Sequence, residues 1–75
     1  REFIFDSVSK VAMMIDSNLD MFNKLQRNNI SLILHINPAT LSRVLNRLKR
    51  NKIIDIIHGK VIVLNILELK AIFEG

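Results

Sequence analysis

The stretch ISLILHINPATLSRVLNRLKRNK, residues 30–52, carries the architecture of this chain. Asn37 followed by Pro38 is a strong helix start. Asn is among the best N-caps, and proline at the first helical position has its φ already set and lacks an N–H that would be unpaired there. The helix should run from Pro38 to about Arg50, through good helix formers and no glycine. Residues 27–34 read as a shorter helix before it, with Ile30, Ile33 and Leu34 facing inward. At ~100° per residue, Leu41, Val44, Leu45 and Leu48 fall on one stripe of the second helix. Ala39, Arg43, Asn46 and Arg50 fall opposite, flanked by Ser42 and Arg47. Such a helix docks by its leucine side and presents Arg and Asn outward.

Upstream, residues 6–18 look helical, with Val8, Val11, Ala12 and Ile15 in one apolar stripe. Asp6 or Ser7 is placed to cap its start, and Ser17-Asn18 to end it. Residues 19–25 fit either a short strand or a helical turn. Downstream, IIDII and KVIVL are separated by His58-Gly59, two residues ending in glycine, which is a hairpin signal. Asn65 can cap a last helix over 66–74, with Leu67, Leu69, Ile72 and Phe73 available for packing. Met13, Met14 and Met21 are expected to fill core space. The fold class is mostly α with a small β-hairpin, a winged helix-turn-helix with its wing at about 53–64.

Seventy-five residues make one small domain, 1–75. A chain this short buries only about 60% of its unfolded surface, so modest stability is expected. The apolar content of 49% is too high for a disordered tail. Cysteine is absent, which excludes disulfides and thiolate metal sites and fits a reducing compartment, the cytoplasm. No run approaches the ~18 apolar residues of a membrane span. The opening REFIF is apolar, and the chain is expected to be the C-terminal domain of a longer protein.

The net charge of +4 hides an asymmetry. Residues 24–60 hold eight bases and one acid, a net +7, while the two flanks are mildly acidic. No acid occurs from residue 30 to residue 54. A basic centre of this kind suits an anionic partner. The charged side of an amphipathic helix is ordinarily just solvated. Here the acid-free face, the capped start after another short helix, and the following basic hairpin favour nucleic acid.

The major groove of B-DNA admits an α-helix. Arg can pair bidentately with guanine O6 and N7, and Asn with adenine N6 and N7. The first turns reach base edges, so Arg43 is the leading base reader, then Ser42 and Asn46. Arg47, Lys49, Arg50 and Lys52 lie where phosphate contacts are expected. Lys60 and His58 at the hairpin tip are further phosphate candidates. His35, without Cys or a second His nearby, reads as a turn residue and not as a metal ligand. No metal site and no cofactor site is expected in this domain.

Residues 29–48 resemble the DNA-binding domain of the cyclic-AMP receptor/fumarate–nitrate regulator (Crp/Fnr) family of bacterial transcription factors. PATLSRVL, residues 38–45, is similar to the family's recognition helix, and HGKVIVL to a wing strand. FDSVSKVA, residues 5–12, is similar to the hinge and first helix after the family's long dimerisation helix. The resemblance implies that Arg43 reads a base and that Pro38 and Ala39 stand at the groove. It implies phosphate contacts at Arg27 and Thr40. It also implies an N-terminal β-barrel sensor domain, which would hold any effector, and a homodimer that works with RNA polymerase. Residues 1–5 would be the last turn of the dimerisation helix. Ala39 departs from the family's usual Glu, so the half-site need not be the usual one. His35 stands where glycine is common and can adopt φ > 0 with some strain. Ser31 keeps the usual small residue of the first helix.

The reading is therefore sequence-specific double-stranded DNA binding by a dimeric bacterial regulator. The first rival is a winged-helix protein-interaction module without DNA binding, since fold alone does not fix function. An enzyme is disfavoured, because the sequence shows no catalytic constellation. Membrane-surface binding is disfavoured too, because the basic helix lacks a Trp-rich apolar rim.

Overall fold

The computed structural model describes residues 7–74. In order these form α1 (Ser7–Ser17), α2 (Leu19–Lys24), α3 (Arg27–Leu34), α4 (Pro38–Arg50), β1 (Ile54–Ile57), β2 (Lys60–Val63) and α5 (Ile66–Glu74). The expected cap at Asp6 and the expected end of a dimerisation helix at 1–5 lie outside the described residues.

α1 buries Val11, Ala12 and Ile15 completely, and Val8 packs beside them. Its apolar stripe also takes in Met14. Met13 and Met21 are 37% and 42% exposed, so core filling holds for Met14 alone of the three methionines. With Met14 the stripe spans about 160° of the helix, and Met13 lies about 100° beyond either margin.

α2 resolves the open choice at 19–25 in favour of a helix. Six residues do not hold a helix by propensity. Tertiary anchoring of Phe22, wholly buried, holds this one. Asp20 in its first turn and Lys24 in its last agree with the helix dipole.

α3 and α4 are joined by three residues that satisfy both helix ends. The Ile36 N–H donates to Ser31 O (2.9 Å) and the His35 N–H to Leu32 O (3.2 Å), with His35 in the left-handed region at φ 57°, ψ 45°. This is the Schellman arrangement. Asn37 follows as the N-cap of α4, its Oδ1 accepting from the Ala39 N–H at 2.8 Å. On α3, Ile30 and Ser31 are buried and Leu34 packs against the core, but Ile33 is 52% exposed, against expectation. Burial of small Ser31 turns the helix so that its inward direction lies between Ile30 and Ser31. That leaves Ile33 on the margin. The Ser31 hydroxyl is satisfied by donating to Asn28 O (2.7 Å).

α4 ends in a second Schellman cap. The Ile53 N–H donates to Leu48 O and the Lys52 N–H to Lys49 O, both at 3.0 Å, with Lys52 at φ 61°. The accompanying apolar contact is supplied by Leu48 and Ile53, both buried. The chain then enters the hairpin. β1 and β2 pair antiparallel with Ile54 opposite Val63 and Ile57 opposite Lys60. The two linking residues, His58 and Gly59, have φ 53° and 77°, the type I′ geometry that matches strand twist. Ile54 and Val61 point into the core.

The Asn65 side chain caps α5 by accepting from the Glu68 N–H (3.1 Å). Leu69 is wholly buried, and Ile72 and Phe73 pack against the core. Leu67 is 77% exposed and takes no part, because a step of two positions along the helix turns it ~200° away from Leu69. α5 lies on α1, where the Ser9 hydroxyl donates to Ile72 O (3.4 Å) and Lys70 pairs with Asp16 (3.7 Å). The result is a winged helix-turn-helix: α3 and α4 form the helix pair, β1 and β2 the wing, and α1 and α5 the support behind. Among the described residues no helix is long and apolar enough to cross a membrane.

Candidate nucleic-acid interface

α4 is laid down by four buried residues, Leu41, Val44, Leu45 and Leu48. With that side anchored, the remaining positions have one direction to face. Ser42, Arg43, Asn46, Arg47, Lys49 and Arg50 are all exposed. Arg43 and Arg50 are seven residues apart, which returns them to the same side of the helix about 10 Å apart along its axis. Pro38 and Ala39 are exposed in the first turn, and Thr40 is half-buried beside them. The backbone N–H of Ala39 is committed to the Asn37 cap, so that residue can offer a groove only its methyl group.

The electrostatics of this ridge are simple. Among the described residues no carboxylate pairs with a base of α4. Arg47, Lys49 and Arg50 crowd the last turn, where the helix dipole favours cations. Lys52 extends the row past the cap and is exposed.

The wing carries His58 and Lys60 at its exposed tip. Arg27 belongs to both elements. It begins α3, its guanidinium lies 5.2 Å from the centre of the Phe22 ring, and its Nη2 donates to Gly59 O at 2.9 Å. Partial burial lowers its pKa from the ordinary value through desolvation, though an arginine stays charged. The sequence resemblance implied a phosphate contact for Arg27. The structure adds a second engagement, with the wing. Asn23 was not singled out in the sequence. Its carboxamide donates to Val61 O (3.1 Å) and accepts from the Val61 N–H (2.8 Å). No local pattern could have shown this, because the partners are 38 residues apart.

Among the described residues no group of three or more His, Cys, Asp or Glu is placed to hold a metal ion. The site is thus a convex, cationic helix face with a cationic hairpin beside it. It can supply directional donors from Arg43 and Asn46 and diffuse positive charge from the rest. Residues 13–72 match the family model of the Crp-like helix-turn-helix domain. No curated protein and no solved structure matches the chain.

Proposed function

The chain belongs to the Crp-like helix-turn-helix domain family, and on that premise we propose that it binds double-stranded DNA sequence-specifically. It does so as the C-terminal DNA-binding domain of a dimeric, cytoplasmic, bacterial regulator of the Crp/Fnr type that works with RNA polymerase. α4 enters the major groove. Arg43 reads guanine, Ser42 and Asn46 read neighbouring base edges, and Pro38 and Ala39 approach the groove floor. Thr40, Arg27, Arg47, Arg50, Lys60 and His58 contact phosphates and fix the register. Paired domains would occupy half-sites about one helical turn, ~34 Å, apart. A single domain binds more weakly because it lacks the second half-site.

The observation that carries this reading is the single exposed face shared by Arg43, Asn46, Arg47 and Arg50 above a buried leucine stripe. The test begins with duplexes selected from a random pool, followed by titration of wild type and Arg43→Ala on the selected and on mixed sequence. Arg43→Ala should cost ~1–3 kcal/mol on the selected site and relax preference at one base pair. Equal loss on both duplexes would remove Arg43 as a reader. Binding of neither duplex by the wild type, at any salt concentration, would overturn DNA binding itself.

A further inference from the structure

We propose that Asn23 is a positioning residue for the wing: its carboxamide pins β2 to α2 and so holds Lys60 ready for a phosphate. The inference rests on the DNA-binding reading and adds a residue that touches no DNA.

A two-stranded hairpin alone is marginally stable in water. Each strand of this wing also has an outer edge. In an antiparallel pair, alternate residues direct their N–H and C=O away from the partner strand. Val61 is such a residue, and both of its backbone groups go to Asn23. The carboxamide has one donor and one acceptor facing that edge, so it makes the two bonds that a third strand would make. On the opposite edge the Ile56 N–H is taken by its neighbour Asp55, at 2.8 Å. The wing is therefore fastened along its β2 edge to the α2–α3 corner, and on its β1 edge the outward Ile56 N–H is satisfied locally.

The second fastening is four residues further along the same corner. Arg27 donates to Gly59 O from its place over Phe22. Gly59 and Val61 are the two neighbours of Lys60. Lys60 is thus held between two backbone positions, each bonded to a side chain of the α2–α3 corner, while its own side chain stays exposed. Phe22 is wholly buried, so the corner has a rigid footing. A free hairpin tip would have to be ordered on binding, and that entropy would subtract from affinity. The pinned wing is ordered beforehand.

The experiment is a set of double-mutant cycles on the selected duplex, read as Kd and as the slope of log K against log salt. Asn23→Ala should weaken binding about fivefold to tenfold, the scale of one to two net hydrogen bonds. It should also flatten the salt slope by about the one unit that Lys60→Ala removes. In the Lys60→Ala background its effect should largely vanish, whereas in the Arg50→Ala background it should persist in full. A merely structural loss would lower the competent fraction, leave the slope unchanged and add equally to both backgrounds. That outcome, or undiminished binding by Asn23→Ala, overturns the proposal while DNA binding stands. Absence of salt-dependent binding by the wild type overturns both. Should Asn23→Ala fail to fold, Asn23→Gln keeps the carboxamide and displaces it by one methylene. It should show the same coupling to Lys60 with a smaller loss, and additivity there overturns the proposal equally.

Discussion

Replacing His35 by glycine should stabilise the domain. His35 ends α3 at φ 57°, ψ 45° and is exposed, so removing its side chain forfeits little burial. The left-handed region costs an L-residue about 1–2 kcal/mol, and histidine is among the residues that tolerate it better, so about 1 kcal/mol is released. Glycine also gains freedom in the unfolded chain, which offsets about 0.4–1 kcal/mol of this. The net gain lies between about zero and about 0.6 kcal/mol, or up to roughly 5 °C in Tm for a domain of this size. His35→Ala is the control, because it removes the imidazole and keeps the strain. Both variants and the wild type would be unfolded by heat and by urea, followed by circular dichroism. Glycine should exceed alanine in midpoint with an unchanged urea m-value. The Schellman bonds from His35 and Ile36 need only the backbone, so DNA affinity should be the same in all three. A glycine variant no more stable than the alanine variant would refute the assigned turn, and with it the angle at which α4 leaves α3.

Three further outcomes follow from single contacts. Leu41→Ala removes a side chain that is 1% exposed and should cost about 2–5 kcal/mol; thermal unfolding would show a midpoint lowered by roughly 8–40 °C, and a loss under 1 kcal/mol would mean that α4 is not anchored as described. Asn37→Ala removes the 2.8 Å bond to the Ala39 N–H and should cost about 0.5–2 kcal/mol in urea unfolding, with Asn37→Ser close to wild type. Gly59→Ala meets no atom within 4 Å of the added carbon, so its cost is the strain at φ 77°, about 1–2 kcal/mol, less about 0.4–1 kcal/mol that alanine saves in the unfolded chain. Amide exchange over residues 54–63 should rise in that variant, and unchanged protection would count against the type I′ turn.

Much of this architecture was legible residue by residue. The Asn37-Pro38 start, the leucine stripe of α4, the Asn65 cap and the two-residue hairpin turn are set by side chains and backbone within a few positions, and each appears where the pattern puts it. His35 shows the same locality: a turn that needs φ > 0 received a residue able to adopt it. The errors also share a cause. Ile33, Leu67, Met13 and Met21 are as apolar as their neighbours, but their exposure depends on how far each helix is rotated toward its partners. Residues 19–25 fitted two periodicities because seven residues are too few to separate them, and burial of Phe22 made the choice.

Chemistry readable within a turn or two of chain was enough to specify where the helices start and stop, and which side of α4 would be cationic. Capping and amphipathic spacing act over four or five residues, so a linear string contains them whole. What required the assembled molecule was how helix and wing are held to one another. Asn23 meets Val61 across 38 residues and Arg27 meets Gly59 across 32. Hydrogen bonds at such separations depend on where packing delivers the backbone, and no spacing rule along the chain records that.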